Sequence, residues 1–108
     1  MADLQVRRGP DGSVCLCGEL DMVSAHRLAP EALELDGTGD LVLDVSRVSF
    51  IDSTGIRAIL NLAAKTAPRA VVLRHPRPNV ENVLNIVRIE TLGIRVETCA
   101  RQNPRARF

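Results

Sequence analysis

The sequence predicts a single α/β domain in which helices pack against a mixed β-sheet. Short apolar segments typical of strands alternate with segments of helical spacing, in the order β-β-α-β-α-β-α-β. Strands separated by helices join through parallel crossovers. The first two strands are separated only by a short turn and form an antiparallel hairpin. The chain has 108 residues, 45% of them hydrophobic, which is enough for one domain with one core.

The first half of the chain contains the predicted hairpin and the first helix. Residues 4–6 and 14–17 alternate like strands, and residues 9–12, which read Gly-Pro-Asp-Gly, form the turn between them. Residues 18–21 then leave the second strand. Helical spacing predicts a helix over residues 22–35, whose apolar positions are Ala25, Leu28, Ala29, Ala32 and Leu33.

The second half of the chain alternates strands and helices. Residues 41–45 are nearly all apolar, which is typical of a central strand buried on both faces, and a loop then leads to Asp52. A second helix runs to about Pro68. A third helix, with Asn79 as its cap, carries an apolar stripe that includes Val87. Further strands are predicted at residues 70–73 and 94–96.

Composition limits the classes of partner and the cellular compartment. Net charge is +1 and there is no Trp or Tyr, so nothing favours a nucleic-acid or membrane partner. No apolar run approaches the roughly 20 residues of a membrane span, and the first residues lack a signal-peptide core. The three Cys, without secretory context, predict reduced thiols in the cytoplasm. Residues 1–99 form the predicted domain, and residues 100–108 a polar, Arg-rich tail.

The sequence Asp52-Ser53-Thr54-Gly55 opens the second helix and is the most informative motif. A hydroxyl at a helix N-terminus suits phosphate chemistry, because unpaired N–H groups and the helix dipole favour an anion there. The alternative is that these side chains only cap the helix. Thr54 competes with Ser53 as the reactive hydroxyl, and Gly55 lets another backbone approach closely.

Together with Gly18-Glu19-Leu20-Asp21, this motif resembles the phospho-acceptor region of STAS domains, and most of all the single-domain anti-sigma-factor antagonists. In that family, the serine that follows the aspartate of an (I/M)DS(S/T)G motif is phosphorylated. The resemblance implies a STAS-like mixed sheet and Ser53 as the phospho-acceptor. It also implies a partner-binding surface made of Glu19, Asp21, Asp52, Ser53, Thr54, Gly55 and Arg57.

The resemblance further implies a role as ligand and substrate, not as an enzyme. The unphosphorylated protein would bind an anti-sigma factor that is a serine/threonine kinase and so free the sigma factor. Phosphorylation would end its binding to the kinase, and a serine phosphatase would restore the unphosphorylated form. The protein itself would need no cofactor. A monomer is expected. The alternative is a constitutive scaffold subunit of a signalling or lipid-transport assembly, in which Ser53 is never modified.

Asp21 and the two cysteines of the second strand each have a structural interpretation beside the functional one. Asp21 can cap the first helix as well as contact a partner, and the two roles are compatible. Cys15 and Cys17 share one strand face and could ligate a metal, but no second pair has zinc spacing, so buried core thiols are expected.

Enzymatic and nucleotide-binding readings find little support. A serine hydrolase would need His26 or His75 as base, and the motif is not a G-x-S-x-G elbow. The loop that contains Gly37 and Gly39 is too short to be a phosphate loop, and no Walker motif is present.

Overall fold

The computed structural model describes residues 3–35, 37 and 39–98. Its five strands are β1 (Gln5–Arg8), β2 (Val14–Leu20), β3 (Leu41–Ile51), β4 (Val71–Arg74) and β5 (Ile94–Glu97). Its helices are α1 (Leu28–Leu35), α2 (Ser53–Thr66) and α3 (Pro78–Ile86), with 3₁₀ turns at Ala25–Arg27 and Ile89–Leu92. No helix in these ranges is long and apolar enough to cross a bilayer. The predicted tail, residues 100–108, lies outside the described part of the chain.

The strands form one mixed sheet in the order β1-β2-β3-β4-β5. β1 and β2 are antiparallel and the other three pairs are parallel, as predicted. Because the parallel strands follow one another in sequence order, right-handed crossovers place every helix on the same face of the sheet. The buried apolar side chains of all three helices accordingly join one cluster with Leu16, Leu43 and Leu73 of the strands. The opposite face, called the open face below, carries none of the helices that the structure describes.

The structure corrects the predicted ends of β2 and β3. The prediction ended these strands at residues 17 and 45, but β2 continues to Leu20 and β3 to Ile51. Val48 and Ile51 are buried and pair with Gly18 and Leu20. At two points the pairing with β2 shifts register and β3 carries one extra residue, so the alternation in β3 is broken and its buried residues recur at every third position there. The sequence pattern therefore resembled a loop.

The predicted first helix also begins too early. The carboxylate of Asp21 accepts hydrogen bonds from the backbone N–H groups of Val23 and Ser24, at 3.0 and 3.1 Å. These bonds fold residues 21–24 into a turn. A 3₁₀ turn follows at Ala25–Arg27, and the α-helix starts only at Leu28.

The start of α3 differs from its prediction as well. The helix begins at Pro78 with Arg77 in the cap position, so Asn79 is not the cap. The Asn79 Nδ2 instead donates to the Ser49 carbonyl at 2.9 Å, and the Arg77 Nε donates to the Ser46 carbonyl at 3.0 Å. These side chains supply hydrogen-bond donors to backbone carbonyls of β3 beyond Asp44, where its pairing with β4 ends.

Candidate functional site

The predicted motif lies where the end of β2 meets the start of α2. Leu20 pairs with Ile51, and the Asp52 N–H donates to the Leu20 carbonyl at 3.4 Å. The segment 18–21 and the motif are therefore adjacent in space, although some thirty residues separate them in sequence. We call this region the β2–α2 edge.

Gly55 explains how α2 can pack so closely on β2. A Cβ at this position would collide with the Leu20 carbonyl oxygen and crowd the Ile51 side chain. Gly55 is buried as a result. This confirms the close backbone approach that the sequence predicted. It also means that Gly55 shapes the β2–α2 edge from beneath, without presenting a side chain to a partner.

Asp52 caps α2 and so decides the environment of the two hydroxyls. Its backbone is extended, and its Oδ1 accepts from the Gly55 N–H at 3.0 Å. Ser53 occupies the first helical position, and both Ser53 and Thr54 are exposed. Neither hydroxyl is hydrogen-bonded to any residue within the described ranges. The helix cap therefore does not depend on Ser53, and its Oγ is accessible to a reacting group.

Asp21 is tied into the turn that follows β2. Its Oδ1 lies 3.0 Å from the Ser24 Oγ, which is buried and donates to the Glu19 carbonyl at 2.6 Å. Burial opposes ionisation of Asp21, but hydrogen bonds from Ser24 and Val23 together outweigh it and lower the pKa of the carboxyl. Asp21 thus has the capping role that was one of its two predicted roles, although it caps a turn that precedes α1.

The remaining predicted partner contacts do not all face one way. Glu19 pairs with Phe50 and is half-buried on the open face of the sheet. Arg57 is exposed on α2, four residues after Ser53, and forms no ion pair with a described residue. The predicted set therefore wraps around the β2–α2 edge from the open face to the helix layer.

Three exposed apolar side chains adjoin residues of the predicted site in sequence, and the sequence analysis did not predict their exposure. Met22 is 75% exposed, Val23 67% and Phe50 46%. Exposed apolar groups next to a polar centre are typical of interaction surfaces. The signal for Met22 and Val23 was the apolar pair between Asp21 and Ser24. The pair was overlooked because it lay inside the helix predicted over residues 22–35.

A groove runs from this edge along the helix layer. It has a volume of about 400 Å³ and lies between residues 22–30 and one side of α2. Thr54 lines its end nearest the motif and Lys65 its far end. The groove was not predicted, because it depends on the spacing of α1 and α2.

The structure gives no support to a hydrolase arrangement at Ser53. His26 is exposed on the groove wall, and His75 lies at the end of β4, where its N–H donates to the Glu97 carbonyl at 2.7 Å. Among the described residues, no histidine is hydrogen-bonded to the Ser53 hydroxyl. A nucleophile–base pair would require such a contact.

The cysteines differ from their prediction. Cys15 and Cys17 are free thiols and half-buried, not core residues. They share one strand face, as predicted, but it is the open face, because Val14 and Leu16 occupy the face that the helices cover. Within the described ranges, no group of three or more metal-ligating side chains occurs.

The comparisons with known proteins agree with this architecture. A family model described as "Mlab, STAS domain" matches residues 5–95. The chain belongs to the STAS domain family. No match to a curated protein was found.

Two solved structures share the fold of this STAS domain. One is the anti-sigma factor antagonist SpoIIAA in its unphosphorylated form. It is 18% identical, with 92% of this chain and 91% of that chain covered and a TM-score of 0.55. The other is a candidate anti-sigma factor antagonist from Thermotoga maritima. It is 21% identical, with 92% and 89% covered and a TM-score of 0.69. At these identities, the likeness establishes the fold.

Proposed function

We propose that this STAS domain is an anti-sigma-factor antagonist whose binding is switched off by phosphorylation of Ser53. Unphosphorylated, it binds an anti-sigma factor that is also a serine/threonine kinase, and the sigma factor is released. The kinase transfers phosphate from ATP to the Ser53 Oγ, and a serine phosphatase removes it. The protein acts as ligand and substrate, without catalysis of its own.

The observation that carries this proposal is the environment of Ser53. Its hydroxyl is exposed and unbonded to described residues at the first position of α2, while Asp52 caps the helix. A kinase can therefore reach the Oγ without unfolding the helix start. The structural neighbours that carry the name anti-sigma factor antagonist support the proposal at the level of fold.

The β2–α2 edge also suggests how phosphate would act. Phosphorylation adds a charge of about −1.5 to −2 and three acceptor oxygens. The positive end of the helix dipole tolerates that charge, so the domain keeps its fold. The apolar side chains of Met22 and Val23 are exposed in the turn after β2, and Met22 lines the same groove as Thr54, the neighbour of Ser53. A partner that packs on them meets a bulky, hydrated anion once Ser53 is modified, and it dissociates.

Phosphate mapping tests the assignment of the acceptor. The protein is incubated with its cognate kinase and ATP, and the modified peptide is identified by mass spectrometry. We expect phosphate on Ser53, none in Ser53→Ala, and normal incorporation in Thr54→Ala and in Ser49→Ala, a control serine exposed on β3. Phosphate on Thr54 with Ser53 untouched contradicts the proposal.

Binding measurements test the switch itself. Calorimetry with the kinase should show tight binding for wild type and Ser53→Ala, and weaker binding for Ser53→Asp. The aspartate carries one charge in place of nearly two, so it imitates phosphate incompletely. Equal affinity of wild type and Ser53→Asp would refute repulsion as the mechanism.

A second candidate function is a constitutive scaffold subunit. The observation that favours it is the matching family model, whose description names Mlab and not an antagonist. In that case the β2–α2 edge binds its partner permanently and Ser53 is never modified. A stable complex that forms equally with wild type and Ser53→Asp, without phosphate incorporation, would favour the scaffold.

A further inference from the structure

The groove between residues 22–30 and α2 carries a charge pattern that the phosphorylation switch does not use. Arg57 and Lys65 of α2 line it, together with His26, and no Asp or Glu does. Arg57 and Lys65 are exposed, and neither forms an ion pair with a residue in the described ranges. The carboxylate of Glu31 on α1 is engaged by Arg27 at 2.8 Å. The groove therefore presents two unneutralised cations to whatever occupies it.

The shape of the groove matches a helix. Thr54, Ala58, Asn61 and Lys65 line it at spacings of four, three and four residues, so they form one stripe along α2. At 1.5 Å per residue, the stripe is roughly 16 Å long, which is about three helical turns. The lining also includes small apolar side chains, which permit close approach; they are Ala25, Ala29 and Ala58.

We propose that the groove binds an acidic amphipathic helix of a partner protein. The apolar side of that helix packs on the alanines, and its carboxylates pair with Arg57 and Lys65. The chain's own C-terminal tail fits this role poorly, because it carries Arg101, Arg105 and Arg107 and no acid. The inference rests on the proposed function in taking the anti-sigma factor as the source of the helix, but the chemistry of the occupant follows from the groove alone.

Synthetic peptides test the occupant without any kinase. The probe is a 14-residue helical peptide with Leu at i, i+3, i+4 positions and Glu on the flanks, titrated into ¹⁵N-labelled protein and followed by NMR. We expect saturable shifts at Ala25, Ala29 and Ala58. Replacing each Glu of the peptide by Gln should weaken binding at least about fivefold, and so should Lys65→Glu in the protein. Added salt should weaken the Glu peptide selectively.

Arg47→Glu provides the matched control variant. Arg47 is exposed on β3, opposite Cys17 in the register with β2, and does not line the groove. It forms no ion pair with a described residue. The same charge reversal there should leave peptide affinity within about twofold. A loss equal to that of Lys65→Glu would show a net-charge effect and overturn the groove assignment.

Three further outcomes also overturn the proposal. They are equal binding of the Glu and Gln peptides, shifts confined to other surfaces, and concentration-dependent self-association of the protein through the lining residues. The result is separable from the phosphorylation switch, because Lys65→Glu leaves Ser53 intact and phosphate mapping needs no peptide. If Ser53 is phosphorylated but the peptide does not bind, only this inference fails. If the peptide binds but Ser53 is not phosphorylated, only the proposed switch fails.

Discussion

Two helices of this STAS domain begin at the ends of neighbouring strands, yet their N-termini are built differently. At the start of α2, the carboxylate of Asp52 forms the cap and leaves the Ser53 and Thr54 hydroxyls exposed. At the start of α3, no side chain caps the helix, and Arg77 and Asn79 donate to carbonyls of β3. The first terminus keeps polar groups available for chemistry. The second uses its polar groups to hold the sheet together.

The difference follows from what each strand leaves unpaired. β3 extends seven residues beyond Asp44, the last residue paired with β4, so the edge that it exposes needs donors. The start of α3 supplies them. The start of α2 instead packs against the last residue of β2, where the absence of a side chain on Gly55 allows backbone contact. The polar side chains at a helix N-terminus are available to a partner only where they are not already hydrogen-bonded to neighbouring backbone.

The largest expected effect breaks the packing beneath the α2 terminus. In Gly55→Ala, the new Cβ collides with backbone at Leu20, which cannot move aside like a flexible side chain. We expect a loss of about 2–3 kcal/mol in the free energy of unfolding, measured by urea denaturation. Gly37→Ala, where a Cβ meets nothing within 4 Å, is the control and should change stability by less than about 0.5 kcal/mol. Equal stability of both variants would show that the close approach is not required.

A smaller effect is expected when the α2 cap is removed. Asp52→Ala loses the acceptor for the Gly55 N–H and should cost about 1 kcal/mol in unfolding free energy. Asp52→Asn keeps a capping oxygen without the charge and should retain most of that stability. If Asp52→Ala is as stable as wild type, Ser53 or Thr54 can replace the cap, and the contrast with α3 weakens.

The corresponding change at α3 should cost less and leave Ser53 chemistry alone. Asn79→Ala removes the donor to the exposed Ser49 carbonyl, which water can then reach, so we expect a loss of about 0.5 kcal/mol. Phosphate incorporation at Ser53 should match wild type in the same kinase assay. Reduced incorporation would mean that the two helix termini are coupled through β3.

The smallest effect concerns pH and the turn before the groove. The hydrogen bonds of Asp21 lower its pKa in the folded protein. Its stabilising contribution is therefore complete above the unfolded pKa of about 4 and disappears as the pH falls through the lower folded value. The difference in unfolding free energy between wild type and Asp21→Asn should stay constant from pH 6 to 5 and shrink below pH 4.

Denaturant unfolding at several pH values measures that difference. The pKa of Asp11 is also lowered, chiefly by hydrogen bonds from Ser13, but Asp11 is present in both proteins, so its contribution cancels. A difference that grows toward acid pH would contradict the assigned role of the Asp21 carboxylate.

The sequence by itself determined the order of elements, the hairpin turn, the helix that follows Asp52 and the need for glycine at Gly55. These features depend on local periodicity and turn chemistry, which a chain carries wherever it folds. The resemblance to STAS domains further implied that segment 18–21 and the motif share one surface.

Tertiary structure decided which faces are covered and therefore which side chains remain available. A two-residue period places Cys15 and Cys17 on one side of β2, but only the crossovers decide that the helices cover the other side. The exposure of Met22 and the groove beside α2 likewise arise from the packing of one helix against another. Local patterns specify relative orientation along a segment. Whether a side chain is buried depends on which distant segments pack against it, and only the tertiary structure decides that.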